Sequence, residues 1–229
     1  MSYSAETIDP RQPLMKGTPM SRTPPSPTPV ALPGSVRAAS VDDTAAVGRS
    51  MASAFQDDPS FAWCIPSPAD REQILPAFFH IVFDALVRHA ECYCTTDGAA
   101  AALWVPPGRE PLTQGQAARL RRVFEGVGPA EAARFVALIE LMDAHHPQAE
   151  HFYLWFVGVS TGAQNQGLGS RLLRSGLDRC DRHSMPAYLE ATTDRNRRLY
   201  ERSGFHATGE LTVAGSPPMW AMWRDPAPP

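Results

Sequence analysis

The residues best suited to do chemistry in this 229-residue chain run from Val157 to Ser170, Val-Gly-Val-Ser-Thr-Gly-Ala-Gln-Asn-Gln-Gly-Leu-Gly-Ser. An apolar, β-branched run meets a glycine-bearing turn, and an amphipathic helical pattern follows. The first amides of a helix have no intrahelical partners and sit at the positive end of its macrodipole. Such an end binds phosphate readily. Gly167 and Gly169 remove Cβ atoms, so a diphosphate can approach the main chain. A nucleotide P-loop would need a lysine, and Lys16 is the chain's only one. A dinucleotide fingerprint would need a third glycine where Leu172 stands. The pattern that fits is Gln-x-x-Gly-x-Gly, met by Gln164, Gly167 and Gly169. A tight strand–helix turn that binds nothing is the other reading of so short a motif. Downstream, Asn196-Arg-Arg-Leu-Tyr200-Glu-Arg-Ser-Gly204-Phe205 forms a second motif, Asn-x-x-x-Tyr-x-x-x-Gly-Phe.

The elements that must position these residues are legible from periodicity. Tyr153–Val159 is apolar at nearly every position, as a central strand buried on both faces should be. Gly167–Arg182 places Leu168, Leu172, Leu173, Gly176, Leu177 and Cys180 on one helical face. Ala187–Ala191 is a strand, Asn196–Arg202 a short helix stopped at Gly204, and Phe205–Val213 and Met219–Trp223 a closing strand pair. Upstream, Val36–Ala39 reads as a strand, with Asp42 or Asp43 capping the helix that follows. Asp57-Asp58-Pro59-Ser60 reads as the break that ends that helix, and a second helix runs from about Asp70 to His89. Glu91–Thr96 and Ala99–Val105 pair through an Asp97-Gly98 turn, and helices follow at Thr113–Glu125 and Pro129–Ala144. This order predicts an α/β protein with a mixed sheet. Residues 1–34 carry eight prolines and read as a disordered, Pro-rich tail; residues 35–229 read as the folded domain, with a helical insert at about 110–145.

Composition excludes several classes. A net charge of −3 and a pI near 6.2 give no basic footprint for nucleic acid. No apolar run is long enough to cross a membrane, and no charged segment followed by an apolar one marks a leader, so a cytoplasmic protein is expected. Cys92 and Cys94 alternate on one strand without a second Cys or His pair at zinc spacing, so buried thiols and no metal are expected. The adjacent His145 and His146 point apart on a helix and make no metal pair.

Taken in order, the two motifs resemble the GCN5-related N-acetyltransferase (GNAT) family over Tyr153–Phe205. Trp155–Ser160, Gln166–Ser170, Tyr188–Thr192, Tyr200–Phe205 and the closing Trp220–Trp223 strand look most like the puromycin N-acetyltransferase branch. The resemblance implies the α/β GNAT fold, a central mixed, mostly antiparallel sheet of about six or seven strands flanked by helices and splayed between its two central strands. It also implies acetyl-CoA as co-substrate and an amine acceptor that attacks the thioester directly. Val157, Gly158 and Val159 would hold the pantetheine arm, with the Val159 amide facing the developing oxyanion; an ordinary ladder amide is the alternative. Gln164, Asn165, Gln166, Gly167, Leu168, Gly169 and Ser170 would hold the diphosphate. Tyr200 would protonate the departing thiolate and also touch the cofactor; a core tyrosine is the other reading. Asn196 would orient the cofactor chain, or merely cap its helix.

Glu190 shares a strand face with Tyr188 and is the first candidate for the general base; a strand-end hydrogen-bonding role is the alternative. His145, His146 and Glu150 are weaker candidates. Phe55, Phe61, Trp63 and Trp104 can line an aromatic acceptor site, with core packing as the alternative and commoner role of such residues, and no acidic cluster marks a polyamine site. The expected function is N-acetylation of a small-molecule amine, by a monomer or homodimer. The alternatives are a non-catalytic acyl-CoA-binding protein and a protein N-acetyltransferase.

Overall fold

Seven strands, β1 (Val36–Ala38), β2 (Cys92–Thr95), β3 (Ala100–Val105), β4 (Phe152–Val159), β5 (Ala187–Ala191), β6 (His206–Leu211) and β7 (Met219–Arg224), form one sheet in the order β1-β2-β3-β4-β5-β7-β6. The structure, a computed structural model, describes residues 34–227, so the expected Pro-rich tail lies outside the described residues except for Gly34. Each neighbouring pair is antiparallel except β4 and β5, which are parallel. That one parallel pair is brief. Only Phe152 and Tyr153 face partners on β5, namely Ala187 and Tyr188. β4 then runs on to Val159 alongside β3 alone, and the sheet splays open at its centre.

Helices α1 (Thr44–Phe55), α2 (Pro59–Cys64), α3 (Pro68–Leu86), α4 (Gln114–Glu125) and α5 (Pro129–His145) cover one face of the sheet. α6 (Leu168–Arg182) and α7 (Asp194–Glu201) cover the other. The first face packs around phenylalanines. Phe78 meets Phe61, Phe79, Phe124, Phe135 and Phe156 edge-on, with ring centroids 5.0–6.2 Å apart. Phe124 stacks on Phe135 at 3.9 Å, which ties the expected insert, α4 and α5, into this core. On the second face Trp104 is fully buried against α6, and a Cβ on Gly176 would stand 2.2 Å from its ring. Trp104 is therefore a core residue of the face opposite the phenylalanines, and Trp63 packs at the core's edge; neither joins Phe55 and Phe61 in lining a common pocket.

Some local expectations change. α2 was not foreseen, because Pro59 reads as a breaker in sequence. It stands at the first helical position, where a missing N–H costs nothing, and Asp58 caps the helix by accepting from the Ser60 and Phe61 amides. Neither Asp42 nor Asp43 caps α1 with its side chain. Asp43 instead accepts from the Ser40 amide and pairs with Arg37 at 2.6 and 2.8 Å. Thr193, not Asn196, caps α7; its hydroxyl accepts from the Asn196 amide at 3.1 Å. All four cysteines are free and buried, and burial pushes Cys64, Cys92 and Cys180 up to about 12. Among the described residues no helix is long and apolar enough to cross a membrane.

Candidate active site

The strand–turn–helix segment has the geometry its glycines suggest. A single 3-10 turn at Thr161–Ala163 follows β4, and Gln164 Nε2 donates back to Val159 O at 3.2 Å, which closes the turn. Asn165 is left-handed at φ 63° and accepts from Arg195 at 2.8 Å. Gly167 is the N-cap of α6 at φ 75°, a conformation that favours glycine. It has no side chain to cap the helix, so the amides of Leu168, Gly169 and Ser170 face outward without a side-chain partner. Gln166, Gly167 and Ser170 are exposed, while Leu168 is buried under α6. A Cβ at Gly169 would meet Val159 and Leu199 only at 3.8–4.0 Å, so the protein itself leaves room there.

The register of β3 and β4 decides where the amides of the splay point. Ser160 N donates to Ala99 O, and Val159 faces Ala100. In an antiparallel ladder bonded and non-bonded pairs alternate. Gly158 is thus bonded to β3, while the Val157 and Val159 amides turn toward β5, beyond the last β4–β5 pair at Tyr153. Gly158 has a separate structural reason to lack a side chain: a Cβ would lie 2.8 Å from Met51 Sδ and 2.9 Å from Ala54 Cβ on α1. A bulge places Trp155 between the pairs Leu103–Phe156 and Trp104–Leu154. The extra residue shifts the strand's phase, so Trp155 and Phe156 both pack on the phenylalanine face, and Val157 and Val159 on the other.

A cavity of about 90 Å³ passes through the opened sheet. From the second face it is lined by Asn196 and Tyr200, from β4 by Val157, and from β5 by Glu190. α1, α2 and α5 close the first face with Phe55, Phe61 and Phe135. Tyr200 is buried, and burial together with the nearby Asp58 carboxylate holds its phenol protonated well above the usual tyrosine range. Glu190 Oε2 accepts from the Tyr153 hydroxyl at 2.8 Å, while Oε1 is buried with no hydrogen-bond partner. Burial raises the Glu190 carboxyl to about 7, and the Tyr153 bond opposes that rise. Its charge, after burial, helps keep Tyr188 and Tyr153 protonated.

Two residues that sequence reasoning passed over hold this wall together. Asp58, nine-tenths buried, joins α2 to the end of β5, accepting from the Thr192 hydroxyl at 2.5 Å while it caps α2. Its burial raises its carboxyl above the usual range. Arg71, also buried, donates to the carbonyls of Gln56, Ile65 and Pro66 at 2.7–3.0 Å, which fixes both ends of the segment carrying Asp58, Ser60 and Phe61. The clue lay in Asp58-Pro59, a cap followed by an N1 proline.

None of the weaker base candidates lines this cavity. His145 is exposed and donates to Leu141 O. His146 and Glu150 line a second, larger cleft of about 720 Å³ between α4, α5 and the loops after β3 and before β4. There His151 Nδ1 donates to Ala149 O at 2.6 Å, so its Nε2 accepts from His146 Nε2–H at 3.1 Å. Along the same cleft Asp143 lies near Glu110 and Glu140, whose charges add to burial in raising its carboxyl.

The sequence profile of the acetyltransferase (GNAT) family matches residues 119–205, from α4 through β4, α6, β5 and α7 to Phe205. An uncharacterized N-acetyltransferase of Schizosaccharomyces pombe is 25% identical over 163 residues, and the match spans 66% of each chain. Among solved structures, a Corynebacterium glutamicum protein described as histone acetyltransferase HPA2 and related acetyltransferase superposes with a TM-score of 0.64 at 28% identity, over 85% of this chain and 97% of that one. A polyamine N-acetyltransferase of Drosophila melanogaster shares the fold at a TM-score of 0.57 and 16% identity, over 83% of this chain and 99% of that one. With its splayed seven-stranded sheet and these relatives, the chain has the GNAT fold, and over residues 119–205 it resembles the family's acetyltransferases.

Proposed function

We propose that the chain acetylates a primary amine on a small molecule, taking the acetyl group from acetyl-CoA by direct attack. One observation carries the reading: a buried carboxyl raised to about 7 and a buried phenol held protonated line the same cavity through the opened sheet, each from its own face. The cavity and the open turn suit an acyl-CoA, because both have main-chain donors free to meet its phosphates and amides. Acetyl-CoA supplies a thioester carbonyl open to nucleophilic attack.

The residues divide that work by face. The α6 amides, reached through Gln164–Ser170, receive the diphosphate. The Val157 amide holds the pantetheine arm, and the Val159 amide faces the thioester oxygen, where such a donor is worth roughly 2.7–4 kcal/mol. Glu190 takes the proton of the attacking ammonium on the phenylalanine face, and Tyr200 gives its proton to the leaving thiolate on the other. Asn196 borders the cofactor side. Holding both reactants in one dry gap contributes through proximity. The aromatic wall favours an acceptor with an apolar or aromatic amine end, in keeping with the likeness to the puromycin N-acetyltransferase branch.

The test is a thiol-release screen of the full chain with acetyl-CoA against an amine library that includes puromycin, aminoglycosides, arylalkylamines and a lysine peptide. We expect turnover of small aromatic or apolar amines in preference to the peptide. Peptide-only turnover would move the function to protein acetylation, and acetyl-CoA binding without turnover of any amine would mark a non-catalytic binder.

A further inference from the structure

On the phenylalanine side three buried oxygens lack a hydrogen-bond partner, Ser60 Oγ, Glu190 Oε1 and Tyr188 Oη; Tyr188 stands beside Glu190 on the strand and does not line the cavity, and the other two do. Ser60 Oγ and Glu190 Oε1 are both buried, both unpartnered, and both belong to residues lining the same cavity. Ser60 is only 5% exposed. Buried polar atoms in folded proteins nearly always find partners, so two orphans in one apolar cavity call for an explanation. Packing does not supply it. Serine near a helix start usually bonds back to the preceding turn. Here Ser60 Oγ makes no such bond, while the Ser60 amide donates to Asp58. Much of the remaining wall is phenyl rings, and no hydrogen bond joins Ser60 Oγ to the cavity's polar residues Asp58, Thr192, Asn196 and Tyr200. Ser60, on α2, and Glu190, on the strand face it shares with Tyr188, approach the cavity from the phenylalanine side of the sheet, and Tyr200 approaches it from the other.

We propose that Ser60 is a specificity-determining residue of the acceptor site, and that the acceptor is a primary amine carrying a hydroxyl or carbonyl oxygen near that amine. The inference rests on the acetyltransferase reading above. An ammonium satisfies Glu190 Oε1, which can only accept once ionised; a neighbouring oxygen satisfies Ser60 Oγ, which can donate or accept. Both residues line one cavity of about 90 Å³, so the acceptor's oxygen and its amine enter the same space. The remainder of the acceptor lies outside this space, toward the larger cleft that shares Phe135, Ile139, Met142 and Trp155 with it.

The test compares two amines that differ by one hydroxyl, 2-amino-1-phenylethanol and 2-phenylethylamine, on the full chain with saturating acetyl-CoA. Wild type should favour the hydroxylated amine by about tenfold or more in kcat/KM. Ser60→Ala should collapse that ratio toward one, and Ser60→Thr, which keeps a hydroxyl, should retain it. Melting temperature and the acetyl-CoA Kd, measured on each variant, show whether it is folded. A wild-type ratio near one, or a ratio that survives in a folded Ser60→Ala variant, overturns the proposal while the acetyltransferase reading stands. Binding of acetyl-CoA with no turnover of either compound or of any library amine removes both.

Discussion

Tyr200→Phe lowers kcat by about 100-fold or more while leaving the acetyl-CoA Kd within about twofold of wild type, because general acids contribute roughly 10²–10⁴ in rate and the phenol is not among the groups that face the diphosphate. The argument is geometric first. Tyr200 sits on α7, one turn beyond Asn196, and both line the cavity from the face that α6 also covers. Burial and the Asp58 carboxylate keep its proton on throughout the usual assay range. Tyr200 is thus always loaded as an acid, and it does not set the pH optimum. Its ring also packs against Phe205 at 6.0 Å, so phenylalanine keeps the packing and removes only the hydroxyl. Steady-state kinetics with the best amine of the screen, beside calorimetry with acetyl-CoA, separate the two effects. A Tyr200→Phe variant with wild-type kcat would make Tyr200 a core residue only.

Glu190→Gln should remove the base and with it the acidic limb of the pH profile. In wild type, kcat/KM should rise with pH through about 7 and level off once the carboxyl is ionised. In the variant the inflection near 7 disappears, and the plateau falls by about 100-fold or more. Stability should move the other way. Glu190 titrates at about 7 in the folded chain and near 4.5 unfolded, so between those values the folded state holds the extra proton. Stability contributed by this group is therefore full below about pH 4.5 and declines as pH rises toward 7; ionised Glu190 then costs roughly 3 kcal/mol. Glutamine carries no such cost, so Glu190→Gln should melt higher than wild type at pH 8 and about equally at pH 4. A variant that loses activity and also melts lower at pH 8 would point to a structural carboxylate. The combined signature, less active but more stable, is what a buried base predicts.

The carboxylate sits where β5 has parted from β4. β4–β5 pairing stops at Tyr153 and Tyr188, and Glu190 is the next residue of β5 on the same face. Its Oε2 accepts across the parting from the Tyr153 hydroxyl. The opening thus gives Glu190 the burial that raises its carboxyl and turns Val157 and Val159 toward the gap.

How much of this was legible in the chain depended on whether the signal was local. β4, the phosphate turn, α6, β5 and α7 each carry their pattern within a few consecutive residues, and each lies within a residue or two of the expected bounds. Glu190 and Tyr188 share a face by simple alternation, so their joint placement followed from sequence. What failed to show were features made by contact across the fold. Asp58 and Ser60 sit in a stretch whose Asp-Asp-Pro-Ser composition reads as a break, since the same residues serve turns and helix starts alike. Trp104 and Phe61 are both aromatic residues near the expected pocket, and only the handedness of each strand and helix decides which face receives them. The Glu110, Glu140 and Asp143 grouping and the His146–His151 pair join separate segments, so no spacing rule finds them.

The most direct measurement is isothermal titration of the full-length protein with CoA, and then with 3′-dephospho-CoA and pantetheine to isolate the diphosphate. Micromolar binding of CoA and of dephospho-CoA, with pantetheine at least about 100-fold weaker, is what free amides at the start of α6 require. A folded chain that binds none of the three, or binds pantetheine as tightly as CoA, would contradict it.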